Sequence, residues 1–488
     1  MKNVLEAIRF FAATQPHKTA ITAGELKLNY ELFSLFIDNT RSFLGQSILR
    51  KDSTVVIAIS NLPESWIVLL AARSMGLQTI AVQSPDALHK LGDIAIGCIV
   101  TSEFGPMPEF EQEARRLQVP VVRLPAAVYE KTREKASPVS DQVGLIGGHI
   151  LLSSGTTGVQ KKVLLDAETD QLLITQTKQV YRLTERSVFW AGKLGLWTIA
   201  GFALPSATWS MGGGVVFMDN AEGYASLANS TLTHAFMTPA ILTDVLANHF
   251  AVCRFNSRLY LFVGGGPMHY AVVNTAKQML TPHLLDILGC TEAASISITA
   301  IDRPEDLIWR HPLPRTNLQI VDECDERVPV GAIGRVRIAS FGNIHGYMGE
   351  PETSKEFFRD GFFYTGDLGV LDENGRFALS GRAVDVLNIG GSKYPPGPIE
   401  TACIQELGVE DACVLSVPIR LGVDQIHVIL QAAQMPEQER LQSVITRLIP
   451  WTQQVQVHCR PQLPRNAMGK VQRSLIKADI AAAQRADV

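Results

Sequence analysis

"LLSSGTTGVQKKVLL", residues 151–165, is the stretch whose reading decides the fold. An apolar run stops at Ser153-Ser154, passes through Gly155-Thr156-Thr157-Gly158, and arrives at Lys161-Lys162. A strand ending this way offers backbone N–H groups unshielded by side chains, together with hydroxyl donors. Glycines let the backbone wrap closely, and successive amides form an anion-binding concavity. A Walker A loop starting at Gly155 would need its second glycine at position 160, where Gln160 stands. Any phosphate loop here is therefore of another kind. On this stretch alone two readings stay open: a phosphate-binding loop, or a glycine turn carrying surface lysines.

Outward from it, β-branched runs such as "TVVIAIS" (54–60), "TIAVQ" (79–83), "CIVTS" (98–102) and "VPVVRL" (119–124) alternate with helical stretches such as "ESWIVLLAARSMG" (64–76). That alternation predicts βαβ units and a mostly parallel sheet covered on both faces, an α/β fold. The polar segment 129–142 predicts an exposed connection leading into the glycine-rich stretch. From about residue 315, "NLQIVDE", "GRVRIAS" and "FALSGR" predict short strands of a small antiparallel, β-barrel-like unit. After Gly381 the chain reads as a compact α/β tail. The expected organisation is a large N-terminal lobe, 1–380, with the barrel-like part at 315–380, and a small mobile C-terminal domain, 381–488.

Composition bounds the function classes. The 488 residues are 46% hydrophobic and 19% charged, as in an ordinary soluble protein. A net charge of −4 leaves no broad electrostatic footprint for nucleic acid or an acidic membrane. The seven cysteines show no CxxC and no regular spacing, which predicts reduced thiols in a cytoplasmic protein rather than disulfides or structural zinc. The amphipathic N-terminus carries Glu6 and does not read as a signal peptide. Leu194 to Met218 contains no charge, but Pro205 and Gly212-Gly213-Gly214 argue against one continuous membrane helix.

Further motifs follow in order: "VGGGPM" (263–268), "LGCTE" (288–292), "GRVRIASFGNIHGYMGEPETSKEFF" (334–358), "YTGDLG" (364–369), "GRAVDVLNIGGSKYPPGPIE" (381–400) and "LPRNAMGK" (463–470). This series resembles the adenylate-forming superfamily of AMP-binding enzymes: acyl- and aryl-CoA synthetases, nonribosomal peptide adenylation domains and luciferases. The resemblance runs from about residue 10 to residue 477. It implies a two-step reaction. A carboxylate attacks the α-phosphorus of ATP to give an acyl-adenylate and pyrophosphate, and an acceptor, usually a thiol, then displaces AMP.

By that resemblance Ser153, Ser154, Gly155, Thr156, Thr157, Gly158 and Lys161 cover the β- and γ-phosphates, although Gln160 and Lys162 stand where the family usually has proline and glycine. Glu292 matches the carboxylate that holds Mg²⁺, a hard cation suited to oxygen ligands. Thr291 approaches the α-phosphate. Leu288 replaces the usual tyrosine beside adenine, next to Gly289, and Gly265 and Gly266 pass the adenine edge. Asp367 accepts the ribose hydroxyls, and Arg382 also reaches the ribose. Lys470 matches the lysine that bridges the substrate carboxylate and the α-phosphate. Gly391 matches the glycine that leaves room for a pantetheine arm, and Val384 occupies a hinge position usually held by Asp or Lys. The acid is expected between "FWAGKLGLWTIAG" (189–201), "VGGGP" (263–267) and "LGCTE" (288–292), near Lys193, Trp197 and Gly289. Lys193 reads at least as well as a lysine with its head in water as it does as a substrate contact, and Trp190 and Trp197, which could line the pocket, are at this spacing more often plain core. The acceptor implied is coenzyme A. A carrier protein's phosphopantetheine or an amine is the alternative, and a nucleotide-binding regulator without catalysis the third reading.

Overall fold

The structure is a computed structural model that describes residues 3–46, 53–89, 91–92, 94–105, 108–131, 147–153, 161–192, 194–218, 224–225, 227, 231–249, 255–340, 344–389, 392–418, 424–448, 455–465 and 471–486. Two α/β sheets build the larger part. The first is eight-stranded, in the order Ala294–Ala300, His283–Cys290, Tyr260–Gly264, His234–Met237, Val188–Trp190, Gly214–Val216, Thr19–Ala23 and Leu26–Asn29. Its interior pairings are parallel, and its two outermost strands run antiparallel. The second is six-stranded, in the order Val121–Leu124, Ile96–Ser102, Thr54–Ile57, Gln78–Ala81, His149–Ser153 and Lys161–Leu165, antiparallel only at the last pair. The expected βαβ alternation is therefore present, and the runs read as strands from their β-branched residues are strands.

The helix Leu62–Ser74 shows why its sequence lacks a polar face. Asn61 caps it by accepting from the Glu64 N–H at 3.0 Å, and Pro63 sits in its first turn. Residues Pro63 to Arg73 are all buried, so the helix is enclosed on every side. The uncharged segment from Leu194 resolves differently from an uninterrupted span. Ile199–Ser210 is a helix with Pro205 inside it, and the residue four back, where a proline ring clashes with the carbonyl, is Gly201. The hydroxyls of Thr208 and Ser210 donate back to the carbonyls of Leu204 and Ser206 at 2.8 and 2.7 Å. Among the described residues no helix is long and apolar enough to cross a membrane.

The change of texture near residue 315 corresponds to a five-stranded antiparallel sheet built from Asn317–Val321, Gly334–Ala339, Phe358–Arg359, Phe362–Leu371 and Phe377–Arg382. Beyond it a three-stranded sheet, Asp411–Pro418, Asp424–Gln431 and Val455–Arg460, carries apolar clusters on its two faces. One centres on Leu387, Ile399 and Val428 and the other on Cys413, Ile429 and Ile476, and the buried members of both come only from residues after 386. Cys98, Cys290, Cys324, Cys403, Cys413 and Cys459 are free.

Candidate active site

The described ends of the opening stretch form an antiparallel pair. Ser153 ends one strand, Lys161 begins the next, and the two are register partners. Ser154, Gly155, Thr156, Thr157 and Gly158 lie outside the described residues, as do Lys193, Gly391 and Lys470. The strand leading to Ser153 is anchored from below. Arg73, 1% exposed, pairs with the equally buried Asp170 at 3.0 Å and donates through Nε to the Gly147 carbonyl at 2.6 Å. His149 stacks on Phe202 and is linked through Nε2 to the Leu196 carbonyl at 2.8 Å. Burial holds the His149 ring neutral, with its pKa lowered to about 3.

Lys161 corrects the surface-lysine reading of the glycine turn. It is 9% exposed, and its ammonium lies 3.5 Å from the centroid of the Phe357 ring and 4.7 Å from that of Tyr347. Burial pushes its pKa down, Glu292, Glu356 and Glu350 pull it back up, and Arg382 adds to the lowering. Lys162 instead reaches the Leu91 carbonyl at 3.3 Å and is part of the scaffold.

Glu292 sits in the turn between His283–Cys290 and Ala294–Ala300. The turn is tight: Ala294 has φ +54°, and a Cβ on Gly289 would lie 2.3 Å from the Ala294 carbonyl oxygen. Glu292 is 8% exposed and accepts a hydrogen bond at Oε1 from the Tyr347 hydroxyl at 3.0 Å. Thr291 is adjacent in the same turn, whereas Leu288 packs toward the apolar cluster of Ile320, Val336 and Phe377. The neighbouring parallel strand, Tyr260–Gly264, leads into Gly265, whose φ of +96° requires glycine. Gly266 is different. A Cβ there would come no closer than 3.9 Å, to Pro239, so the protein itself does not demand glycine.

Asp367 and Arg382 are register partners on adjacent strands and form an ion pair, Nε to Oδ1, at 3.0 Å. Arg382 also donates to the Thr365 carbonyl at 2.6 Å, across Gly366 at φ +75°. Four of the predicted residues, Lys161, Glu292, Asp367 and Arg382, therefore lie near one another. Lys161 senses both Glu292 and Arg382, and Arg382 is bonded to Asp367. The Cys290 thiol is pushed up by burial and then by Glu292, with Asp367 adding a smaller push. Trp197 is half-buried, its ring against Gly195, and packs on the main core, while Trp190 belongs to the second core cluster. Sequence reading passed over Tyr347 and Phe357, although both lie in the quoted 334–358 motif. Aromatic rings there read as core until their faces are located.

Two cations and two carboxylates gathered in this way could bind an anion together with a divalent cation. Among the described residues the Glu292 carboxylate accepts from one side-chain donor, the Tyr347 hydroxyl, which would suit Mg²⁺ taking one or two carboxylates together with phosphate oxygens.

Comparison with known proteins follows the same line. The family described as AMP-binding enzyme matches residues 8–348. The fatty acid–[acyl-carrier-protein] ligase ScoC of Streptomyces coeruleorubidus is 23% identical over 97% of this chain and 95% of its own length. A feruloyl-CoA synthase of Amycolatopsis sp is 26% identical over 94% and 95%. The amide bond synthetase McbA of Marinactinospora thermotolerans shares the fold, with a TM-score of 0.81 at 19% identity over 98% of this chain and 99% of that one. With Glu292, Lys161 and the Asp367–Arg382 pair gathered on that fold, the chain belongs to the AMP-binding enzyme family.

Proposed function

We propose that this protein activates a carboxylic acid, aryl or acyl, by attack on the α-phosphorus of ATP, and transfers the acyl group from the adenylate to a thiol, with coenzyme A as acceptor. The observation that carries this reading is the convergence of Lys161, Glu292, Asp367 and Arg382, which come from three separate sheets. In the first half, an oxygen–phosphorus bond forms to the acid as the bond to pyrophosphate breaks. The protein's task there is to place two anions against each other and neutralise the developing charge. Ser153 and the residues up to Gly158, with Lys161, would hold the outer phosphates. Gly265, Gly266, Leu288 and Gly289 would border adenine, and Asp367 with Arg382 the ribose. Bound at Glu292, Mg²⁺ would supply charge neutralisation at the phosphates. Thr291 and Lys470 would face the α-phosphate, and Lys193 and Trp197 the acid.

The division into lobes at 380 belongs to the same proposal. Val384 is 74% exposed. It stands between the Asp367–Arg382 pair and an ion pair of Asp385 with Arg473 at 3.3 Å. Among the described residues Val384 belongs to no apolar cluster that would lock rotation there, and the ion pairs fix the chain on either side.

A carrier protein or an amine is the second reading of the acceptor, supported by the names of ScoC and McbA. ATP–pyrophosphate exchange over a panel of carboxylic acids, followed by product assays with coenzyme A, a phosphopantetheinylated carrier protein and amines, tests all of this. Exchange with one acid and thioester formation on coenzyme A is the expected result. No exchange with any acid would remove adenylation, and acylation of the carrier or amine alone would replace the acceptor.

A further inference from the structure

Lys161 and Glu292 are opposite charges in one buried neighbourhood, yet no direct ion pair joins them among the described residues. Tyr347 stands between their interactions. Its hydroxyl donates to Glu292 Oε1 at 3.0 Å, while its ring face and that of Phe357 take the ammonium, at 4.7 and 3.5 Å. The two rings meet edge-on, with centroids 6.1 Å apart at 74°. The backbone fixes this arrangement from several directions. Ile344 N–H donates to the Glu292 carbonyl at 3.0 Å, and Met348 N–H to the Lys162 carbonyl at 2.8 Å. The segment carrying Tyr347 is thus tied both to the carboxylate's turn and to the lysine's strand. Ser354 completes it, accepting from Tyr347 N–H at 2.8 Å and donating to the Glu350 carbonyl at 2.6 Å. A Cβ on Gly346 would come within 3.1 Å of that same Ser354 oxygen.

We propose that Tyr347 and Phe357 are positioning residues that seat the Lys161 ammonium on aromatic faces, off the Glu292 carboxylate, so that Glu292 stays oriented for a divalent cation carried in by a polyphosphate. The inference rests on the reading of Glu292 as the cation's carboxylate. Its physical basis is exchangeability. An ammonium bonded directly to a buried carboxylate must be torn from it before a metal can enter, leaving unpaired charge in the interval. An ammonium on ring faces is held by attraction worth only about two- to thirtyfold in an equilibrium, and it can transfer to phosphate oxygens. The hydroxyl contributes orientation, since a carboxylate accepting one fixed hydrogen bond presents its other oxygen in a defined direction.

The test is the Mg²⁺ concentration needed for half-maximal ATP binding, read by calorimetry on the full chain with no acid or acceptor present, and with each variant's melting curve as a fold check. Tyr347→Phe keeps the ring and removes the hydroxyl, and it should raise that concentration about tenfold or more. Phe357→Leu removes one ring face and should raise it about threefold or more. Phe357→Tyr keeps a ring face under the ammonium and should hold the requirement near the wild-type value. Glu292→Gln is the control. If it leaves the Mg²⁺ requirement unchanged, the reading of Glu292 as the cation's carboxylate fails. If it raises the requirement while folded Tyr347→Phe or Phe357→Leu protein does not, or if Phe357→Tyr raises it as much as Phe357→Leu, the aromatic seat is overturned and the metal reading stands.

Discussion

Replacing Arg73 by Met should cost about 3–5 kcal/mol of stability at neutral pH, the usual penalty for stranding one member of a buried ion pair. Both side chains of the Arg73–Asp170 pair are 1% exposed, and the guanidinium also lies 5.4 Å from the Phe202 centroid. Met retains much of the length and apolar contact but leaves the Asp170 carboxylate and the Gly147 carbonyl without their donor. Adding Asp170→Leu removes the stranded charge. The double variant should recover about 2 kcal/mol and keep only the carbonyl's share, about 1–3 kcal/mol. The pH dependence has a definite sign. Burial raises the Asp170 pKa, and Arg73 is the group opposing that rise. In Arg73→Met the folded-state pKa climbs further above the unfolded value, so the folded form binds the proton more tightly. Its stability is then highest below the unfolded pKa and falls as pH rises through the folded one. The deficit against wild type should therefore shrink as pH falls into the range where only the variant's Asp170 is protonated, by about 1.4 kcal/mol for each pH unit inside that range. Urea unfolding read by tryptophan fluorescence checks this, because buried Trp66 stacks on Phe202 at 5.8 Å. A wild-type midpoint for Arg73→Met, or a double variant weaker than the single, would refute the argument.

Gly266→Ala should fold with unchanged stability and bind ATP several-fold more weakly, whereas Gly264→Ala, whose Cβ would lie 2.7 Å from the Ile287 carbonyl oxygen, should lose about 1–3 kcal/mol of stability. Equal melting temperatures together with equal ATP affinity for Gly266→Ala would take that glycine out of the nucleotide site. Asp367→Asn should weaken ATP binding by about 1.5–3 kcal/mol in calorimetry, through loss of charge-assisted hydrogen bonding. Lys470→Ala should lower the pyrophosphate-exchange rate by about 3 kcal/mol or more of transition-state stabilisation while ATP binding stays intact. Loss of ATP binding would instead make it a ground-state contact. His427 and His458 touch ring to ring at 2.8 Å, and burial lowers both pKa values, that of His427 to about 4 from 6.5. The folded form therefore binds fewer protons, and stability present above about pH 6.5 is lost as pH falls toward about 4. His427→Leu should flatten that acid limb in urea midpoints.

Much of this protein was determined by local pattern. The strands and the enclosed Leu62–Ser74 helix follow from β-branched runs, caps and continuous apolarity, which act within a few residues of sequence. Gly265 at φ +96°, and Gly289, where a Cβ would meet the Ala294 carbonyl, follow from backbone sterics that glycine relieves. The order of the motifs likewise indicated which carboxylates and cations would meet. Tertiary structure decided what those groups do to one another. That Lys161 is buried rather than solvated depends on rings nearly two hundred residues away, and no spacing rule encodes which face of Tyr347 or Phe357 a distant ammonium will find. Pro205 gives the complementary case. Its helix-breaking tendency is local, but burial of the helix around it and a glycine four residues back prevailed. Propensity sets each element alone, whereas the orientation of charges and ring faces is fixed only when separate sheets pack together.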